Sequence, residues 1–177
     1  GFLNPPFFAL LFVPLAALPY GVAFAVWSTL GLALVVASLW LVARAEPAWR
    51  AQWPRALPWV LSSVPVFAAV SYGQNSLLSL ALLAATYRLL RSERDVAAGL
   101  VLGGLLYKPQ LVLVLALALL VDRRWRAVGG LAASGGVLAG LSWAMSPSGA
   151  RAYVTLTRVF PTMLTSAGFP VWNMHSL

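Results

Sequence analysis

The sequence contains no cysteine, a single histidine, a single lysine and only four carboxylate side chains among 177 residues. Without cysteine there is no disulfide, no thiolate metal site and no cysteine nucleophile. One histidine with no acids clustered around it gives no metal centre, and no cofactor is expected. Charge is scarce altogether: 9% of residues are charged, against 61% apolar and a mean hydropathy of +0.86. A soluble domain is about a quarter charged, so this chain lacks the polar residues to cover a surface in water. The solvent it suits is a bilayer, and the chain is expected to be an integral, multi-pass membrane protein. Twelve Lys and Arg against four acids give +8. In a soluble protein that excess would suggest nucleic acid. Here the cations form short clusters between apolar runs, the pattern of loops facing anionic lipid, so membrane lipids are the expected partner and nucleic acid is not. The chain opens at Gly1 with no charged n-region before its first apolar run, unlike a signal peptide, and it reads as the interior of a longer protein.

The apolar runs define the organisation. Residues 1–19 hold a first stretch, Phe7 to Leu18, interrupted by Pro14 and closed by Pro19. It reaches only about 18 Å against a hydrocarbon core of about 30 Å, so an interfacial or re-entrant helix is expected. Tyr20 to Ala43 is the clearest transmembrane helix. A loop with Arg44, Glu46, Arg50 and Arg55 follows, with Trp49, Trp53 and Trp59 suited to the interface. Leu57 to Tyr72, the break Gly73-Gln74-Asn75 and Ser76 to Leu90 form one helical pair, ended by Arg88, Arg91 and Arg94. A second pair repeats the form: Val96 to Tyr107, Lys108-Pro109-Gln110, then Leu111 to Val121, ended by Asp122-Arg123-Arg124-Trp125-Arg126. Ala127 to Met145 is the last apolar helix, with glycines at 129, 130, 135, 136 and 140 that permit close packing. The expectation is about six transmembrane helices over residues 20–145, and a polar, proline-broken extracytoplasmic loop over 146–177.

Charge bias orients this arrangement. Placing the loops at 44–55, 88–95 and 122–126 in the cytoplasm puts nine of the twelve cations inside, as the positive-inside rule requires. The Gly73-Gln74-Asn75 and Lys108-Pro109-Gln110 breaks then share the outer face with residues 146–177. One long helix over 96–121 would bury Lys108 at mid-membrane beside Pro109, so two short arms are the better reading.

Lys108 is the most informative residue. A cation between two apolar arms costs a few kcal/mol unless an anion pairs with it or it reaches water. An anionic substrate such as a lipid phosphate would be that partner; a lysine snorkelling from a tight turn is the plainer alternative. Gln74 and Asn75 bring donors and acceptors suited to sugar hydroxyls or a phosphate oxygen, although Asn75 can equally cap the following helix. Arg151 and Arg158, seven positions apart, would share one helix face and can bind phosphate, or stand as solvated charges. His175 is a potential general base or phosphate partner, or a surface loop histidine. Glu46, Glu93, Asp95 and Asp122 all lie in the basic loops, as local partners for arginine rather than a catalytic pair.

Taken together, Asn4-Pro5-Pro6-Phe7-Phe8-Ala9-Leu10-Leu11, the Tyr72-Gly73-Gln74-Asn75 break, Gly104-Leu105-Leu106-Tyr107-Lys108-Pro109-Gln110 and Arg123-Arg124-Trp125-Arg126 resemble glycosyltransferase family 87 in order and spacing over most of the chain. The terminal Asn173-Met174-His175-Ser176-Leu177 is similar to that family's Asn-x-Ser-Leu segment with one extra residue. The resemblance implies an all-α, polytopic transmembrane helical bundle of GT-C type with short hairpin helices, multi-pass in a bacterial plasma (inner) membrane. It implies transfer of a hexose, often mannose, from a polyprenyl-phosphate sugar donor to a lipid or glycan acceptor on the extracytoplasmic side. Lys108 would hold the carrier phosphate, with Gln74, Asn75 and Gln110 as positioning groups, and Arg151, Arg158 and His175 as further binding residues. The carboxylate base is expected upstream of the Asn-Pro-Pro segment, outside this sequence, so no catalytic residue is assigned and the fragment is expected to be inactive alone. A transporter or flippase for a lipid-linked or anionic substrate is the rival, since short broken helices meeting at polar turns occur there too. A non-catalytic membrane scaffold, in which the polar turns only join hairpins, is a third.

Overall fold

A computed structural model describes residues 4–164, with the backbone alone over 156–164. The described chain is all-helical, with no strand. Its elements are α1 (Pro6–Ala9), α2 (Val13–Ala16), α3 (Tyr20–Ala45), α4 (Trp53–Leu61), α5 (Val64–Ser71), α6 (Ser76–Arg91), α7 (Asp95–Gly103), α8 (Pro109–Val121), α9 (Trp125–Met145) and α10 (Pro147–Leu164), with 3₁₀ turns at Leu10–Phe12, Pro47–Trp49 and Gly104–Tyr107. Two helices are long and apolar enough to cross a membrane, α3 and α9. Only 11% of the most apolar window of each is buried within the protein. A core helix of a soluble protein would be mostly covered; these present Val22, Val26, Leu30, Val137 and Leu141 outward, as helices facing lipid do.

The helices pack in the order α3, α6, α7, α9. Two apolar clusters hold them: Val35, Val66, Ala69 and Leu77 join α3, α5 and α6, while Leu102, Leu105, Val112, Leu119, Ala127 and Leu131 join α7, α8 and α9. The closest approach is α7 on α9. A β-carbon on Gly99 would overlap the Ala127 carbonyl oxygen, one on Gly130 would overlap the Val96 carbonyl oxygen, and one on Gly103 would collide with Ser134. Arg124 and Asp95 meet at the two helix starts and Gly103 meets Ser134 further along, so α7 and α9 run parallel with their starts at the same end. Gly99 and Gly103, four residues apart, supply the smooth face on α7.

Ion pairs gather the three basic loops at that end. Glu46 pairs with Arg91 at 3.1 Å and accepts a hydrogen bond from Tyr87, and Arg124 pairs with Asp95 at 2.8 Å. Two of the four carboxylates are thus held by arginine, as their place in the sequence suggests. The α6–α7 and α8–α9 turns also share a geometry: the Arg94 and Arg124 N–H groups reach back to the Leu89 and Leu119 carbonyls. Each turn places a non-glycine residue, Glu93 (φ 58°) or Arg123 (φ 54°), in the left-handed region where glycine is the unstrained choice.

Three local expectations are revised. The run 57–72 is not one arm: α4 starts at Trp53, and the chain breaks at Ser62-Ser63. Pro58 and Pro65 remove two N–H donors there, while the Ser62 and Ser63 hydroxyls donate to the Pro58 and Val60 carbonyls. The arm ending at Tyr107 tightens into a 3₁₀ turn over its last four residues. Residues 147–164, expected as loop, are helical. Ser146-Pro147 starts that helix, the Ser146 hydroxyl accepting the Gly149 N–H at 3.1 Å, with proline at the first position where no N–H is needed.

Gly99→Val should lower the melting temperature of the full-length protein in detergent, by an overpacking cost of about 1–3 kcal/mol, because the obstructing atoms are backbone. Gly129→Ala should leave it unchanged, since nothing lies within 4 Å of a methyl there.

Candidate functional site

The end opposite the basic loops is built on the start of α6. Gly73, at φ +59°, closes α5; its carbonyl accepts the Trp27 indole N–H at 3.1 Å, and the Gln74 N–H donates to Ala69 at 2.8 Å. Asn75 occupies the position before α6 but its side chain makes no capping bond, so the amide is not spent on the helix. The Gln74 Oε1 accepts from the Ser76 hydroxyl at 3.3 Å.

Lys108 reaches this turn from the other hairpin. Pro109 opens α8 and holds Lys108 out of helical geometry (φ −125°, ψ 74°). Its side chain runs to the first turn of α6, where Nζ donates to the Ser76 Oγ at 3.4 Å. Lys108 is only 9% exposed, and among the described residues no carboxylate pairs with it. The turn lies outside the helices long enough to cross, and burial there pulls the ammonium below the ordinary lysine range. Gln74, Ser76 and Lys108 thus form one connected polar group.

Beside it lies Tyr107, 4% exposed. Its hydroxyl is 2.9 Å from the Ser79 Oγ and donates to the Asn75 carbonyl at 3.4 Å. Its ring stacks on Phe8 at 4.1 Å between centroids. Phe8 is held in turn by α1, whose Phe7 N–H donates to the Ser142 hydroxyl of α9 at 3.1 Å. Behind Gln74, between α3, α5 and α6, a narrow crevice is lined by Trp27, Gly31, Leu34, Val70 and Leu77, and by Ser28, whose buried hydroxyl has no partner among the described residues.

The structure therefore joins Lys108 to Gln74 and sets Asn75 beside them. Gln110 lies exposed on the first turn of α8. Arg151 is not joined to this group; its guanidinium lies over the Trp143 ring at 5.5 Å. Arg158 is on α10, where only the backbone is described, and His175 lies outside the described residues. Sequence reasoning missed Ser76, Ser79, Tyr107 and Phe8. The serines left a trace, two hydroxyls three residues apart at the head of a leucine run; Tyr107 and Phe8 look like ordinary core aromatics.

Electrostatically the group is one-signed. The positive ends of α6 and α8 and the Lys108 ammonium converge, with no acid among them, so an anion is the ligand this end can take. Among the described residues no cluster of His, Asp and Glu could hold a metal ion.

The described chain is thus all-helical, with two helices facing lipid and a cationic polar turn at one end. The sequence profile of glycosyltransferase family 87 matches residues 2–170, and the chain belongs to that family. Membership makes it a membrane glycosyltransferase. No curated protein and no solved structure matches it.

A buried ammonium without a counter-ion costs stability. Lys108→Met should leave the melting temperature of the full-length protein equal or higher, by roughly 1 kcal/mol. A clear drop would mean that the ammonium has a stabilising anionic partner in the protein itself.

Proposed function

We propose that this chain forms the donor-head site of a GT-C-type hexosyltransferase, with mannose as the sugar, acting at the extracytoplasmic face on a polyprenyl-phosphate-linked donor. The observation that carries this is the Lys108 ammonium, buried between two helix starts with no carboxylate near it. A lipid phosphate supplies the missing charge while its isoprenoid chain stays in the bilayer. The orientation rests on charge bias, with nine cations at the cytoplasmic end.

In the reaction an acceptor hydroxyl attacks the anomeric carbon, the new C–O bond forms, and the bond to the carrier phosphate oxygen breaks. Negative charge grows on the departing phosphate, where Lys108 and the first-turn N–H groups of α6 stabilise it. Gln74 and Asn75 offer hydrogen bonds to the sugar or to a phosphate oxygen. The acceptor proton goes to a base that none of the four carboxylates at the basic end provides. Arg151 and Arg158 offer further contacts to phosphate from the outer segment, and His175 a general base or phosphate partner.

The broken runs α4–α5 and α7–α8 also suit a transporter for a lipid-linked anion. Purified full-length protein with a mannosyl polyprenyl phosphate and a lipid acceptor separates the two. Lys108→Ala should lower kcat/KM for hexose transfer about tenfold to a hundredfold, the range for a hydrogen bond to a charged group. If transfer is absent in the wild type while lipid crosses the bilayer in reconstituted vesicles, the transporter reading replaces this one. If the variant loses neither property, Lys108 is a structural turn lysine.

A further inference from the structure

Lys108 carries four rotatable bonds below its ammonium, and its tether among the described residues, to Ser76, is long at 3.4 Å. Something else must fix where the charge sits. The adjacent residue is anchored far better. Tyr107 is almost wholly buried, its ring plane is set by the Phe8 stack, and its hydroxyl meets Ser79 at 2.9 Å and the Asn75 carbonyl at 3.4 Å. The Ser79 hydroxyl also lies 3.3 Å from the Asn75 carbonyl, so two hydroxyl protons are shared among three close oxygen contacts. Ser76 and Ser79 are three residues apart, on one face of α6. Neighbouring side chains of one turn therefore grip the same first turn of another helix, Tyr107 through a buried hydroxyl cluster and Lys108 through a loose contact.

We infer that Tyr107 is a positioning residue, whose hydroxyl, held by Ser79 and the Asn75 carbonyl, sets the Lys108 ammonium at the start of α6 for a phosphate headgroup. This rests on Lys108 binding that headgroup. The Phe8 stack would keep the ring in place without the hydroxyl, but the turn would lose its register against α6. An apolar core role alone asks for no hydroxyl at this point.

The test uses the full-length protein in lipid nanodiscs with a short isoprenyl monophosphate as the probe, and compares Tyr107→Phe, Lys108→Ala and the double variant. Tyr107→Phe should bind the probe about fivefold more weakly with a melting temperature near the wild type. In the Lys108→Ala background the same change should have no further effect, because the group being positioned is gone. Unchanged affinity in Tyr107→Phe, or an equal loss in both backgrounds, would overturn the inference while leaving Lys108 as the phosphate ligand. If Lys108→Ala itself binds as tightly as wild type, the phosphate reading fails and takes this inference with it. Should Tyr107→Phe prove too unstable, Ser79→Ala removes the other half of the same bond and is read identically.

Discussion

The contact on which the architecture depends is the backbone approach of α7 to α9 at Gly99 and Gly130. Between helices in a bilayer the hydrophobic effect gives no net drive, because lipid tails are as apolar as leucine; close van der Waals packing must supply it. Two facing glycines let main chains touch, and that fixes α7 and α9 parallel and in register. Once their starts are level, the turns before them lie side by side, and Arg124 can reach Asp95. The intervening α6 and α8 must then begin at the far end. Their polar breaks meet there as a consequence of packing many residues away.

That geometry separates the two ends by their acids more than by their cations. At the basic end Glu46 and Asp95 are engaged with Arg91 and Arg124, and Arg44 lies over the Trp40 ring at 4.8 Å. Each of these charges has a partner inside the protein. At the other end one ammonium meets the oxygen of a hydroxyl at a helix start, with no carboxylate paired to it among the described residues. A single charge left without a counter-charge attracts an external anion more strongly than several that neutralise one another.

Much of this was legible because polar interruptions of apolar runs are rare and expensive in a membrane protein. Gly73-Gln74-Asn75 and Lys108-Pro109-Gln110 stood out for that reason, and Lys108 and Gln74 do share one polar group. The packing was harder to read. Of the five glycines of α9, a β-carbon on Gly129, Gly136 or Gly140 would meet nothing within 4 Å among the described residues, while Gly130 makes the close contact with α7, whose Gly99 and Gly103 supply the other side. Small residues permit approach; only the partner's position decides which are used. The α10 helix was hidden by Ser, Gly and Pro, although Ser146-Pro147 is itself a start signal. The Ser62-Ser63 break lay in proline spacing rather than polarity. Tyr107 and Phe8 carried no local mark, since their meaning comes from a stacking partner 99 positions away.

The same stack accounts for α1. A helix of four residues has no stability of its own, because nucleation costs more than one or two hydrogen bonds return. It is held by what it touches: Phe7 binds Ser142 of α9, Phe8 fills the apolar cluster around Leu102 and Leu105 and lies on Tyr107, and Pro6 lies beside Gly149 at the start of α10. Pro5 and Pro6 stiffen the approach, so little conformational entropy is lost on docking. α1 thereby bridges α9, α10 and the turn that carries Tyr107. Polar groups at a membrane edge must be held against a moving lipid surface, and a rigid strap packed on the turn meets that need without adding charge.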